Sequence, residues 1–420
     1  MIRIIKGIKL SFFIRKSGII LSISALAVTL ARIVYSGWYS PFFVIPMRGD
    51  GIRTIFSGVD GYFLPGPLRT LDGSILNFPY LSCVFYYSVF HPLCTTKFLG
   101  FVLIAAIHLS MICIILLSLR MFDLSAHKKV FVILLIVAIF NWAPFYDGVL
   151  QGFPPDFLEA LGIIFGFYLF LAGSPITAGI VFGLTATIKV LPVIFLIYFA
   201  YKKQFRLVVT AFITCLILSA IILWKENLNL NLLNSIIASM GHNAAYGHDM
   251  RDPGLNAFIY FVFNRSLGPN VLIKMHYFSC LFLALFFIAI ERKVNLRKNK
   301  YLFGLAAVSL AMFQFSPHVT EMYWYILLLP AVIFNIWMLI RYRDKLLAIA
   351  FILSYIFMHG FSLLNIFFRI ISRMLNNSIA PVDLYYYFNE HGGVFIGVWL
   401  LYFSTYGLAL KYLIGKSKTE

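Results

Sequence analysis

The chain alternates between long apolar runs and short polar segments rich in Lys and Arg. Most runs last about 18 to 22 residues, which as an α-helix crosses a hydrocarbon core roughly 30 Å thick. Strands do not fit, because every backbone polar group in lipid must be satisfied within the fold. The pattern predicts an all-α, polytopic transmembrane helical bundle of about ten full spans plus a short helical hairpin. The spans are expected at about residues 17–36, 98–118, 129–146, 156–173, 205–224, 271–290, 301–316, 322–340, 346–366 and 392–412.

The apolar stretch at about 176–201 decides the topology. If it formed one span, Lys202, Lys203 and Arg206 would lie opposite the basic N-terminus, although Lys and Arg normally cluster on the cytoplasmic side. Two short helices, broken near Lys189–Pro192, remove this conflict. We therefore predict a hairpin here, with both chain termini and the short basic turns in the cytoplasm.

The expected outer side carries the longer polar segments, which hold most of the acidic residues. Residues 37–97 form a first outer loop, residues 225–270 a second, and residues 368–392 a third. Aromatic stretches in the first loop are too short to span a membrane and predict interfacial helices. No long polar stretch forms a separate soluble domain, so residues 1–420 are expected to be a single integral membrane domain.

Composition agrees with a membrane protein and argues against nucleic-acid binding. Hydrophobic residues make up 61% of the chain and charged residues only 12%, with a net charge of +18. The basic residues cluster at span ends instead of forming a basic module with interleaved aromatics. Of the five cysteines, only Cys83 and Cys94 are placed to meet outside. Membrane lipids are therefore expected partners, and nucleic acid is not.

Asp60 is the first candidate for chemistry, because it lies in the first outer loop within Ser57–Tyr62. A carboxylate there can act as a general base outside the membrane. The alternative is a structural role, in which Asp60 caps an interfacial helix.

The expected hairpin supplies the second set of candidates. Gly179 and Gly183 are four residues apart, which permits close helix packing. Lys189 then lies at the tip, where it either pairs with a phosphate or extends to the interface as an ordinary lysine. Asp156 and Glu159 open the preceding span.

These motifs, in this order, resemble the C-type glycosyltransferase superfamily, particularly the polyprenol-phosphate-mannose-dependent mannosyltransferases of glycosyltransferase family 87. The resemblance covers about residues 55–330. Two departures are visible: Gln151–Gly152 reverses the usual order, and Met322–Tyr323 stands where the family commonly has histidine. The matching positions are Asp60, Gly73, Phe78–Pro79, Gln151–Gly152, Ala178–Gly179, Gly183–Leu184, Ile188–Lys189, Pro192, Ser316–Pro317 and Tyr323–Trp324.

The resemblance implies transfer of a hexose, possibly mannose, from a polyprenyl-phosphate donor to a lipid-linked or surface-glycan acceptor outside the cell. Asp60 would be the base, and a single displacement would invert the anomeric centre; a double displacement would need a second carboxylate. Cations would stabilise the departing phosphate. The candidates for phosphate binding are Lys189, Arg265 and Arg53, and further site candidates are Asp156, Glu159, His318, Glu321 and Tyr323.

No cofactor and no metal are expected, although His242, His248 and Asp249 have a spacing compatible with a divalent cation. The resemblance places the chain in a bacterial plasma membrane. Two other classes of protein stay open. One is a secondary transporter or lipid flippase, which also uses broken helices. The other is a glycan polymerase or ligase that uses a lipid diphosphate.

Overall fold

The computed structural model describes residues 155–188, 192–225, 269–315, 327–360 and 393–414, with some positions between 110 and 122. These parts are helices joined by short turns, and their one β-bridge links Val294 to Ile414. The prediction of an all-α fold is confirmed for them. The helices are α1 Pro155–Leu171, α2 Pro175–Ile188, α3 Val193–Tyr201, α4 Phe205–Lys225, α5 Pro269–Lys293, α6 Arg297–Phe315, α7 Leu329–Tyr342, α8 Lys345–Tyr355 with a π-helical end at Ile356–Gly360, and α9 Gly393–Tyr412.

The predicted hairpin is present. Helix α2 ends at Ile188 and α3 begins at Val193, so the apolar stretch is two short helices as the charge argument required. The other helices match the predicted runs to within a few residues, with two exceptions. Helix α7 begins later than expected, and α8 with its π-helical end is described only to Gly360 of the predicted run 346–366. The first outer loop, the second outer loop and the three earliest predicted spans lie wholly or largely outside the described residues.

Within the described part of the chain, no helix combines the length and the apolar content needed to cross a membrane.

Glycines allow α2 to pack closely on two neighbours. A Cβ on Gly179 would lie 2.6 Å from the Leu207 carbonyl oxygen of α4, and one on Gly183 would lie 2.7 Å from the Ala211 carbonyl oxygen. The later glycine of α2 meets the later residue of α4, so the two helices run parallel. The predicted role of these two glycines in helix packing is confirmed.

The short turns meet at one end of the bundle. Lys202, after α3, pairs with Glu291 near the end of α5, and Asn295 donates its backbone N–H to the Leu413 carbonyl oxygen at the end of α9. The α1–α2 turn is at the same end, because the Phe170 ring lies 4.7 Å from the ring of Tyr301 near the start of α6. The described basic clusters therefore share one side, as predicted.

A buried polar network joins α7 to α9. The Asn335 amide donates to the Thr405 hydroxyl at 2.6 Å and accepts from the Ser404 hydroxyl at 2.8 Å, and all three residues are fully buried. A typical hydrogen bond within a protein contributes about 1 kcal/mol net to stability. The main effect of the network is to fix how the two helices face each other.

Asp344 joins the α7–α8 turn to the end of α9. Its carboxylate accepts from the Leu347 backbone N–H at 3.0 Å, from Lys411 at 2.6 Å and from the Tyr412 hydroxyl at 2.8 Å. Asp344 therefore caps α8 and binds α9 at the same time. The Lys411 bond, with the Leu347 N–H, lowers the pKa of Asp344 to about 2.

We expect Gly183→Ala to destabilise the protein. In an exposed helix this change would stabilise by about 0.8 kcal/mol. Here the new methyl group meets backbone that cannot rotate away, so α2 and α4 must separate at a cost of roughly 1–3 kcal/mol. Thermal unfolding in detergent measures the effect. Leu184→Ala is the control, because Leu184 is the next residue in sequence and its side chain is exposed. Equal melting temperatures for Gly183→Ala and the parent would contradict the close packing of α2 on α4.

We also expect Asp344→Asn to remove an acid-sensitive part of the stability. Asn still caps a helix, so the change mainly removes the charge that accepts from Lys411. The folded-state pKa of about 2 lies below the ordinary 3.8, so this stabilisation is complete above about pH 4 and is lost as pH falls towards 2.

Thermal unfolding of parent and Asp344→Asn between pH 2 and pH 7 checks this. The difference in melting temperature should be largest near neutral pH and close on acidification. A difference that stays constant over the whole range would show that the charge of Asp344 contributes nothing.

Candidate active site

Two of the acidic residues predicted from the sequence lie in a described helix. Asp156 is in the first turn of α1, and Glu159 follows one turn later. The remaining candidates lie outside the described residues, and their roles stay predictions. These are Asp60, Arg53, Lys189, Arg265, His318, Glu321 and Tyr323.

Glu159 lies in the contact between α1 and α2. It is 0% exposed and shares a helix stripe with Gly162 and Gly166 three and seven residues later. A Cβ on Gly162 would collide with the Thr185 side chain, and one on Gly166 would lie 2.7 Å from the Phe182 ring. The stripe therefore faces α2, and the two helices are antiparallel.

The same contacts place Glu159 level with the end of α2. Pairing Gly166 with Phe182 and Gly162 with Thr185 puts Glu159 opposite Ile188, the last residue of α2. In sequence, Lys189 follows at once. Glu159 also lies thirteen residues from the α1–α2 turn, about 20 Å along the helix. The buried acid and the break in the hairpin are thus at the end of the bundle away from the basic turns.

An aromatic cluster holds the hairpin against the rest of the bundle. The Phe167 ring of α1 lies 5.5 Å from Phe195 and 5.0 Å from Phe199, both on α3. Gly304 of α6 leaves room for the Tyr198 ring, since a Cβ there would overlap the phenol oxygen. Because α3 is packed on both sides, the position at which α2 gives way to α3 is fixed by the fold.

The Thr185 hydroxyl, which faces α1 at Gly162, is already used within its own helix. Thr185 donates to the Val181 carbonyl oxygen at 2.7 Å. On the other face of α2, the Cys215 thiol of α4 donates to the Gly183 carbonyl oxygen at 3.3 Å. Both groups therefore serve helix packing.

Sequence reasoning missed the second buried glutamate. Glu291 is 1% exposed and accepts from Lys202 at 2.5 Å and from the Tyr201 hydroxyl at 3.3 Å. It lies at the basic end, away from the hairpin break, and joins α5 to the α3–α4 turn. The sequence did offer a signal for Glu291, because it is the one acid within a cluster of Lys and Arg at 291–300. An acid isolated among cations in this way indicates a buried counter-ion.

The described residues bring no three His, Cys, Asp or Glu side chains close enough together to bind a metal ion. His242, His248 and Asp249 lie outside them, so the weak metal hypothesis stays a prediction.

The sequence matches the model of glycosyltransferase family 87 over residues 83–317, more than half of the chain. A helical bundle with this match is a glycosyltransferase, and the chain belongs to glycosyltransferase family 87. The predicted resemblance is confirmed. No protein of curated function and no solved structure matches the chain.

The matched residues include some of the candidates and leave out others. Lys189, Arg265, Asp156 and Glu159 fall within residues 83–317. The candidate base Asp60 precedes the match. Arg53 also precedes it, and His318, Glu321 and Tyr323 follow it. Family membership thus supports the hairpin as a family feature more directly than it supports the base.

Proposed function

We propose that this chain is an integral membrane glycosyltransferase of the C-type fold. It transfers a hexose, possibly mannose, from a polyprenyl-phosphate donor to a lipid-linked or surface-glycan acceptor on the extracytoplasmic side. The observation that carries this proposal is the break between α2 and α3, directly before Lys189, at the end of the bundle away from the basic turns.

Exposed apolar faces support the placement in a membrane. Phe212 on α4 is 60% exposed and Phe278 on α5 is 71% exposed. Each belongs to a stripe of large exposed side chains three and four residues apart, which in water would be a costly apolar surface. A mean hydropathy of +0.89 points the same way. The exposed stripes are Val209, Phe212, Ile213, Leu216 and Ile217 on α4, and Tyr277, Phe278, Leu281, Phe282 and Leu285 on α5.

The basic turns support the orientation. Lys and Arg collect on the cytoplasmic side of membrane proteins. The turns around Lys203, Lys293 and Arg343 share one end, which is therefore the cytoplasmic end of the proposed topology. The hairpin break then faces the outer leaflet, where a lipid-linked donor and an extracellular acceptor can meet.

The chemistry of the proposed site needs a base and a cation. Asp60 takes the proton from the acceptor hydroxyl, whose oxygen attacks the anomeric carbon as its bond to the donor phosphate breaks. Lys189, with Arg265 and Arg53, stabilises the negative charge on the departing phosphate. The proton rests on Asp60, and the products are the glycoside and a polyprenyl phosphate.

The surroundings of Glu159 support a single displacement with inversion. A double displacement needs a second carboxylate that can reach the anomeric carbon. Glu159 is fully buried between α1 and α2, where a sugar has no access. It is better suited to positioning the end of α2 than to attacking the donor.

Asp60→Asn is expected to abolish measurable transfer, a loss of at least about 100-fold, because the amide cannot accept the acceptor proton. Membrane insertion and donor binding should remain. Purified enzyme is assayed with a panel of polyprenyl-phosphate sugars, and the product is read by mass. Glu159→Gln is the matched acid-to-amide control. Full turnover by Asp60→Asn would remove Asp60 from the mechanism.

Lys189→Ala is expected to weaken donor binding by roughly 10- to 100-fold, because it removes one charge-assisted contact with phosphate. Equilibrium binding of a polyprenyl-phosphate sugar in detergent measures this. Lys274→Ala, which changes an exposed lysine on α5 outside the basic clusters, is the control and should bind as the parent does. Unchanged donor affinity in Lys189→Ala would contradict the phosphate role.

The same assays separate the rival functions. A transporter or flippase also uses broken helices, and substrate uptake that persists in Asp60→Asn would favour it. A polymerase or ligase would prefer a lipid diphosphate over the monophosphate when the two donors are supplied side by side.

A further inference from the structure

Three turns at the basic end hold a non-glycine residue in a left-handed backbone conformation. Lys203, Leu296 and Arg343 have φ angles of 57°, 55° and 53°. Glycine is the usual residue at such positions after a helix, because a Cβ is disfavoured there. The α1–α2 turn follows this rule with Gly173, whose φ is 83°. The other three turns retain a side chain despite the conformational cost.

Packing does not explain these three side chains. Leu296 is 69% exposed, and Lys203 and Arg343 are also exposed. The backbone needs only their N–H groups: Arg343 donates to the Leu339 carbonyl oxygen and Lys203 to that of Ala200. Glycine would make the same bonds. A disfavoured conformation that internal contacts do not require points to a role outside the molecule.

The surface around the three turns has one sign of charge. Among the described residues, the acids at this end are Glu291 and Asp344, and both are buried. Glu291 pairs with Lys202, and Asp344 pairs with Lys411. Among the described residues, no exposed acid lies beside the exposed cations of this surface. These cations are Lys203, Arg206, Arg292, Lys293, Arg297, Lys298, Arg341, Arg343 and Lys345.

Large apolar side chains lie among these cations. Phe205 and Leu346 each follow a cationic turn, and both are highly exposed, as is Leu296. The rings of Tyr342 and Tyr412 stack at 4.3 Å at the same end. Tyrosine is typical of the boundary between headgroups and acyl chains.

We propose that the turns carrying Lys203, Leu296 and Arg343, named here the basic rim, bind anionic phospholipid headgroups. The ammonium and guanidinium groups contact lipid phosphates, and the apolar side chains enter the acyl boundary. This inference rests on the membrane placement proposed above and adds a lipid partner at the end opposite the transfer site.

A phospholipid surface fits the rim better than a soluble polyanion. Nucleic acid or an acidic protein would satisfy the cations but would leave Leu296, Leu346 and Phe205 in water. An anionic bilayer satisfies both kinds of side chain, because phosphates and hydrocarbon lie within a few ångströms of each other there.

The test uses the double variant Lys203→Gly with Arg343→Gly. Binding of short-chain phosphatidylglycerol to the full chain, in micelles of an uncharged maltoside, is measured by titration calorimetry. Each cation near an anionic surface contributes about fivefold in affinity, so the double variant should bind about 25-fold more weakly. Binding by the parent should weaken as salt is raised.

Substitution by glycine at these two positions is expected to change the stability of the protein little. It relieves the left-handed strain and removes a cation from a helix C-terminus, and the two effects oppose each other. The melting temperature should therefore stay near that of the parent. Weaker lipid binding without loss of stability is a result that a merely structural role would not give.

Two further variants complete the design. Lys274→Gln removes one exposed charge near the start of α5, at the other end of the bundle, and should bind phosphatidylglycerol as the parent does. Leu296→Asn keeps a residue that tolerates the left-handed conformation and removes the apolar contact. It should bind the lipid more weakly.

Several results would overturn the proposal. These are parent-like affinity in the double variant, an equal loss in Lys274→Gln, or equal binding of phosphatidylglycerol and phosphatidylcholine. Displacement of the lipid by a short oligonucleotide at physiological salt would show that a soluble polyanion is the occupant. Failure to insert into phosphatidylcholine vesicles would overturn the membrane placement as well, whereas insertion without lipid preference would overturn only this inference.

Discussion

The close approach of α2 to α4 is the contact on which the rest of the hairpin depends. Gly179 and Gly183 have no side chain, so the backbone of α2 lies directly against the Leu207 and Ala211 carbonyl oxygens. On its other side, α2 meets α1 at Gly162, which likewise lacks a side chain. Any added methyl group on these surfaces would push the helices apart. Glycines at these two contacts therefore set how closely α2 packs on α4 and on α1.

Charge is distributed in a simple way over the described helices. Cations collect at one end, and the acids there, Glu291 and Asp344, are buried and each bound to a lysine. At the other end lie the α1 acids Asp156 and Glu159, and Glu159 is buried between α1 and α2. Glu291 and Asp344 hold turns together. Glu159 lies level with the end of α2, next to the break in the hairpin.

Much of the fold was predictable because its signals are local. The run at 176–201 had to be divided, since Lys202 and Lys203 belonged with the other cations, and α2 and α3 confirm this. The spacing of Gly179 and Gly183 predicted close packing, also correctly. Both inferences used residues within about one helix of each other, together with a general rule on charge.

The long-range pairs were not predictable in the same way. Asn335 and Thr405 are seventy residues apart, and neither has a neighbour in sequence that indicates the other. The same holds for Asp344 with Lys411. Such contacts appear only when helices are assembled in space. Among the candidate site residues, Lys189 lies within the family match and Asp60 precedes it, so the proposed role of Asp60 rests on the chemistry of transfer and the order of motifs.

The spacing of Gly179 and Gly183 has a consequence for how deep the hairpin sits. Two notches one helical turn apart rest on successive turns of α4, so α2 can seat only in discrete steps of about 6 Å. Intermediate settings would place a Thr210 or Thr214 methyl group against a ridge instead of a notch. In the proposed membrane setting, a change in bilayer thickness would tilt the two helices together and would not slide one gradually past the other. The position of α2 along α4 is thus set by the protein itself.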